Sequence, residues 1–285
     1  LEKIKLIYSL NTYPITHNRW NMGNKLKDTI YMTAASILYS CQWYEEVELY
    51  VDDIGYAYLE TLPCKVTLVD FDQNSELWMK PKLSVIENQN TPFIHIDNDV
   101  FLKKSIAMEF DKVLVERKDI AYHNYKDLIT FFDQYCNGMM FWNPKLRYAW
   151  SCGVIGFKDL ELRDDFVNGY KVLEDVFEKN KNDYECFKNS CNGKGWYLEP
   201  GLLLEQYNLT SLLSKKDIIP AVLIPGESHQ KQSSYANEIG YTHLFGASKY
   251  HPKNINKIEE LLNEKFNAHY KIIKEKVNLN QTVMV

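Results

Sequence analysis

Two carboxylates, Asp97 and Asp99, stand two residues apart just past the apolar run Pro92-Phe93-Ile94-His95-Ile96. At the point where a chain leaves a strand, such a pair can chelate a hard divalent cation, because Mg²⁺ and Mn²⁺ take oxygen ligands. A bound dication bridges diphosphate oxygens and neutralises the charge that a leaving nucleotide develops. The tripeptide Asp97-Asn98-Asp99 is equally good turn chemistry, since Asp and Asn side chains hydrogen-bond nearby backbone. On its own the motif supports both readings.

The surrounding pattern places the pair in an α/β fold. Residues 3–10 are mostly apolar and β-rich and break into a polar loop, 11–24, with Pro14 and Gly23. Residues 29–41 carry Ile30, Ala34, Ile37, Leu38 and Cys41 on helical spacing, with Asp28 as the expected cap. Strands are expected over 47–51, ending at Asp52-Asp53, over 66–69, ending at Asp70, and over 92–96 and 151–157. Helices are expected after residue 82 and over 162–177, 200–207 and 252–276. Strands alternating with helices imply a mostly parallel central sheet flanked by helices, with ligands at the carboxyl ends of its strands.

Residues 93–99 resemble the Asp-x-Asp strand end of GT-A glycosyltransferases, especially retaining enzymes such as glycogenin and the bacterial lipopolysaccharide glucosyl- and galactosyltransferases. Those enzymes also carry a late His-x-x-Gly-x-x-Lys motif, and His243-Leu244-Phe245-Gly246-Ala247-Ser248-Lys249 has that spacing. The resemblance implies a Rossmann-like GT-A fold over residues 1–285 as a single domain. Its nucleotide-binding half would be about 1–120 and its acceptor-side and C-terminal elements about 121–285. It further implies metal ligation by Asp97, Asp99 and His243, and contact of Lys249 with the diphosphate. Two carboxylates and one neutral imidazole favour Mn²⁺ over Mg²⁺. Gly246 would let backbone approach the phosphates, and Lys249 would act as a point charge.

Other positions match the family more loosely. Ser9, Asn11 and Thr12 end the first strand, where the family binds base and ribose, and Tyr13 would stack on uracil; a plain turn explains them as well. Asn98 and Lys82 flank the donor position, with exposed lysine the alternative for the latter, and Gly153 in Ser151-Cys152-Gly153-Val154 would lie beneath the sugar or serve packing. Where the family has an Asp-Gln pair opening a helix, this chain has Trp196-Tyr197-Leu198-Glu199-Pro200-Gly201, so Glu199 is the candidate catalytic carboxylate beside Lys249. Glu205 and Gln206 stand in reserve. Asp52-Asp53 resembles the acidic end of the family's second strand, and solvated turn carboxylates fit equally.

The implied activity is metal-dependent transfer of a hexose or N-acetylhexosamine from a UDP-sugar, with retention, to a glycan, lipid-linked or protein/peptide acceptor. The rivals are a carbohydrate-binding protein without turnover and a haloacid-dehalogenase-type phosphatase. In the phosphatase motif Thr or Val stands two residues after the second Asp, where this chain has Phe101. A net charge of -5 argues against nucleic-acid partners. No apolar run is long enough to span a membrane. Six cysteines without a Cys-x-x-Cys pair argue against structural zinc, and scattered thiols in a chain this long point to a reducing, cytoplasmic setting. The aromatic stretch 122–150 is expected either to shape the acceptor side or to be an ordinary packed excursion, and the oligomeric state stays open.

Overall fold

The computed structural model describes residues 4–17, 22–73, 76–191 and 199–283. Along the chain run β1 (Lys5–Leu10), α1 (Tyr13–Thr16), α2 (Leu26–Trp43), β2 (Val47–Val51), α3 (Asp53–Leu59), β3 (Lys65–Leu68), α4 (Lys80–Glu87), β4 (Phe93–Ile96) and β5 (Val100–Leu102). There follow β6 (Val113–Asp119), α5 (Lys126–Cys136), β7 (Ala149–Phe157), α6 (Leu160–Lys179), α7 (Lys181–Ser190), α8 (Pro200–Leu202), α9 (Asn208–Lys215) and β8 (Ala221–Val222). The chain closes with α10 (His229–Ile239), β9 (Tyr241–His243), α11 (Pro252–Lys265) and α12 (Asn267–Val283). This is the mixed α/β architecture that the alternating pattern implies. No described helix is long and apolar enough to cross a membrane.

Two compact units emerge. The first comprises residues 1–85, 93–107 and 236–285, and the second 86–92 and 108–235. In the first unit β1 pairs in parallel with β2 on one side and β4 on the other, and β2 pairs in parallel with β3. Parallel strands send all their carboxyl ends to one edge, so the residues after β1, β2 and β4 are brought to the same side. All four residues of β4 are buried, as expected of a parallel strand covered on both faces. A short antiparallel ladder, β5 with β9, joins residues far apart in sequence. In the second unit β6 pairs antiparallel with β7 and parallel with β8.

Several boundaries differ from the sequence expectation for identifiable reasons. α2 starts at Leu26, not after Asp28, because the Asn24 side chain already accepts a hydrogen bond from the Leu26 N–H. Asp28 sits inside the first turn, paired with Lys25 at 3.8 Å, where a carboxylate complements the helix dipole. The run expected to be one helix over 252–276 is two helices broken at Phe266. The helix expected over 200–207 is a short α-turn that passes through a π-helical turn, Leu203–Tyr207, into α9. The stretch 122–150 contains the amphipathic α5, whose Leu128, Ile129, Phe131 and Phe132 are buried. Of the segment around Glu199, residues 196–198 lie outside the described residues.

One close approach inside the second unit gives a stability test. A Cβ placed on Gly169 of α6 would lie 2.5 Å from the Asn208 Oδ1, while the same Asn208 donates from Nδ2 to the Phe166 carbonyl at 2.9 Å. Alanine gains about 1 kcal/mol of helix propensity, but displacing a buried, bonded amide costs about 1–3 kcal/mol. Gly169→Ala is therefore expected to destabilise by about 1 kcal/mol, read as a lower urea midpoint with unchanged slope. A raised midpoint would show that Asn208 turns aside freely.

Candidate active site

Asp97 follows β4 directly, and Asp99 lies one residue before β5. The β5–β9 ladder sets Val100 opposite His243, and the Leu244 N–H donates to the Asp99 carbonyl at 3.0 Å. This non-local pairing brings the imidazole to the carboxylates: His243 Nε2 lies 3.3 Å from Asp99 Oδ1. One ligand atom from each of Asp97, Asp99 and His243 falls within 4.8 Å of the others. The three residues that the sequence expectation assigns to a metal are thus assembled in one place.

Two ammonium groups complete the cluster. Lys249, on the 3-10 turn Gly246–Tyr250, donates to Asp99 Oδ2 at 2.9 Å. Lys82, from α4 and only 5% exposed, donates to Asp97 Oδ1 at 2.7 Å. The sequence alternative of an exposed Lys82 is therefore corrected. Burial works against the charge of Asp99, yet Lys249 and His243 outweigh it and hold its carboxyl well below the usual carboxylate range. For Asp97, burial together with the neighbouring Asp99 outweighs Lys82 and raises its carboxyl. Burial would lower the Lys249 ammonium, but Asp99 reverses that and pushes it up. Gly246 has φ +52 with open space where a Cβ would stand, so the left-handed backbone and not crowding calls for glycine there.

Behind the carboxylates lies a support that the sequence reading missed. His95 is 1% exposed, and its Nε2 meets Ser9 Oγ at 2.9 Å while its Nδ1 lies 3.7 Å from Asp97 Oδ1. Burial, reinforced by Lys82, keeps this imidazole neutral by lowering its pKa well below the ordinary value. Asn98 donates from Nδ2 to the Ser9 carbonyl at 2.7 Å. Ser9 at the end of β1 is thereby fastened to the segment after β4. The available signal was a histidine two residues before Asp97, inside a strand that is otherwise apolar.

The remaining loop residues after β1 are held mainly by the protein itself. Thr12 is fully buried, and both its N–H and its hydroxyl donate to Asp52 Oδ2, at 2.6 and 2.7 Å. Asn11 accepts from the Tyr13 N–H at 3.1 Å and donates to the Asp72 carbonyl at 3.3 Å. Tyr13 stacks on His17 with ring centroids 3.8 Å apart. Asp52 also caps α3 through the Gly55 N–H at 2.9 Å, so it is a structural tie and not a solvated turn carboxylate.

Gly153 and Glu199 belong to the second unit. Gly153 is buried within β7, and Glu199 occupies the N-cap position of α8 without capping it through its side chain. The same unit contains a buried acidic group absent from the sequence reading: Glu116, fully buried, accepts from the Ser151 hydroxyl at 2.6 Å. Nearby, the Tyr125 hydroxyl lies 2.9 Å from Asp119 Oδ2 and 2.7 Å from Gln206 Oε1. Burial and then Asp119 raise that phenol well above its ordinary pKa.

A profile of a family of unknown function, DUF6734, matches residues 5–276. The chain belongs to DUF6734. No curated protein matches it in sequence. Among solved structures, this DUF6734 member is similar to the glycosyltransferase GlyE of Streptococcus pneumoniae TIGR4, at 9% identity and a TM-score of 0.34. That alignment covers 64% of this chain and only 40% of GlyE. It is also similar to mouse xyloside xylosyltransferase 1 in its apo form, at 13% identity and a TM-score of 0.35, over 88% of this chain and 83% of that one.

Proposed function

We propose that the protein is a divalent-metal-dependent glycosyltransferase that moves a hexose or N-acetylhexosamine from a UDP-sugar, with retention, to a glycan, lipid-linked or peptide acceptor. The observation that carries this reading is the cluster of Asp97, Asp99 and His243 beside Lys82 and Lys249, past the carboxyl end of β4. The donor set fits a metal: two carboxylates and an imidazole suit Mn²⁺ better than Mg²⁺. His243 Nε2 and Asp99 Oδ1 stand 3.3 Å apart, and with a carboxylate oxygen of Asp97 these ligand atoms lie within 4.8 Å of one another, close enough for one ion to be held by all three residues.

Charge balance says what should come with the ion. Two carboxylates facing two ammonium groups are neutral as a set, so a dication leaves an excess of positive charge that a nucleoside diphosphate supplies the anion to offset. When bound, the metal would act as a Lewis acid on the diphosphate oxygens. Lys249 would place its point charge on the departing diphosphate, an electrostatic contribution of a few kcal/mol. Gly246, lacking a side chain in open space, would leave the backbone accessible to phosphate oxygens. The Ser9-to-Tyr13 loop would receive the nucleoside, with the positions of Ser9 and Asn98 fixed through their mutual bond.

The test is calorimetric titration of UDP into the protein with and without Mn²⁺, repeated on His243→Ala. UDP binding that needs Mn²⁺ and is lost in the variant is the expected result. Absence of UDP binding with Mn²⁺, Mg²⁺ or no metal would eliminate the UDP-sugar donor.

A further inference from the structure

His95 lies in β4 two residues before Asp97, inside the first unit. The parallel pairing of β1 with β4 sets Ile7 opposite His95, so Ser9, two residues further along β1, approaches the same ring that Asp97 approaches from β4. The two contacts are unequal. Nε2 meets Ser9 Oγ at 2.9 Å, whereas Nδ1 stops 3.7 Å from Asp97 Oδ1, beyond hydrogen-bonding reach, and has no hydrogen-bond partner among the described residues although the ring is buried. We propose that His95 is a positioning residue for Asp97: it presents an Nδ1–H to the carboxylate that would ligate the metal, and the Ser9 hydroxyl, donating to Nε2, fixes the proton on Nδ1. The inference rests on the reading of Asp97, Asp99 and His243 as a metal site.

The partners decide the tautomer. A neutral imidazole carries one N–H and one bare nitrogen, and the hydrogen bond made by each nitrogen sets which is which. A hydroxyl such as that of Ser9 can serve either nitrogen, but the Asp97 carboxylate, ion-paired with Lys82, only accepts. With the proton on Nε2, the Nδ1 lone pair would face a carboxylate oxygen in a buried setting and repel it. With the proton on Nδ1, the N–H faces an acceptor, and Ser9 gives its own proton to Nε2. The Asn98 side chain, donating to the Ser9 carbonyl at 2.7 Å, holds Ser9 in place for this task.

The 3.7 Å gap belongs to the arrangement in which Lys82 holds Asp97 Oδ1 at 2.7 Å. Lys82 and the Nδ1–H compete for that one oxygen, and the ammonium, which carries a full charge, has the shorter contact. When Asp97 exchanges Lys82 for a dication, the Nδ1–H is the donor that orients the carboxylate without adding a second positive charge beside the metal. Partners of this kind behind a metal ligand commonly set affinity by about 10–100-fold. Ser9 thus acts on the metal ligand from the end of β1, through the ring.

The experiment has two arms on the full chain. Long-range ¹H–¹⁵N NMR of the metal-free, ¹⁵N-histidine-labelled protein reads the tautomer directly, with the His95 signals identified by their shift in Ser9→Ala and their loss in His95→Gln; a proton on Nδ1 is expected. Calorimetric titration of Mn²⁺ then compares the variants. Ser9→Ala and His95→Gln, whose amide reaches toward the Nε2 position and Ser9, should weaken Mn²⁺ binding about 10–100-fold. His95→Asn, whose amide N–H₂ takes the place of the Nδ1–H, should stay near the wild-type affinity despite losing the bond to Ser9. A ring protonated on Nε2, Mn²⁺ affinity unchanged in Ser9→Ala and His95→Gln, or an equal fall in His95→Asn and His95→Gln would overturn the positioning role and leave the metal site standing. A wild-type chain that binds no Mn²⁺ would remove the metal reading itself, and this inference with it.

Discussion

Asp99→Ala is expected to weaken Mn²⁺ binding at least about 100-fold, a loss of roughly 2.8 kcal/mol, and to abolish metal-dependent UDP binding with it. Asp99 is the residue on which the cluster converges, with His243 Nε2 at 3.3 Å on one oxygen and Lys249 Nζ at 2.9 Å on the other. Removing it takes away a ligand, and it also leaves two nearby cationic or potentially cationic groups with no anion between them. Both effects work against a dication. Lys249→Ala should separate metal from nucleotide. It keeps all three ligands, so Mn²⁺ affinity should hold or rise as Asp99 loses a competing ammonium, while UDP affinity in saturating Mn²⁺ falls about 10–100-fold, the worth of one charge-assisted contact. Equal losses of Mn²⁺ and UDP affinity in Lys249→Ala would show that the lysine merely props up the carboxylate and does not serve the diphosphate.

How much of this site could be seen in the sequence depends on the range of the forces that build each part. β4 is legible because Phe93, Ile94 and Ile96 call for a strand buried on both faces, and its end fixes where Asp97 emerges. β5 and β9 have three residues each, too few to show a period, yet their ladder is what carries His243 to Asp99. Only the resemblance to a spaced motif linked them in advance. The break between α11 and α12 was hidden for the opposite reason. Apolar residues on both sides of Phe266 stay in register, and no Pro or Gly marks the interruption. Lys82 reads as an ordinary lysine in sequence, and only its 5% exposure against Asp97 separates it from lysines that face water.

The acidic residues after β2 and β4 look alike in sequence and are expected to fail differently. Asp52→Ala should cost about 3–5 kcal/mol of folding stability, because one carboxylate serves three donors: the Thr12 N–H and hydroxyl through Oδ2, and the Gly55 N–H through Oδ1. Hydrogen bonds to a charged acceptor are worth about 1.5–3 kcal/mol each and do not add fully, and loss of a helix cap alone costs about 1 kcal/mol. Thr12 is fully buried, so water cannot readily replace what its N–H loses. Asp52→Asn should recover only part of the loss. Its one carbonyl oxygen can face Thr12 or Gly55, and either choice points an amide N–H₂ at another donor. Chemical denaturation measures both variants, and a loss under about 1 kcal/mol in Asp52→Ala would mean that the loop finds other partners. Calorimetry on the same proteins draws the contrast. Folded Asp52→Ala should keep its Mn²⁺ affinity, since none of its bonds reaches Asp97, Asp99 or His243, whereas Asp99→Ala should lose that affinity. Loss of Mn²⁺ binding in both would mean that the loop after β1 helps to shape the metal site itself.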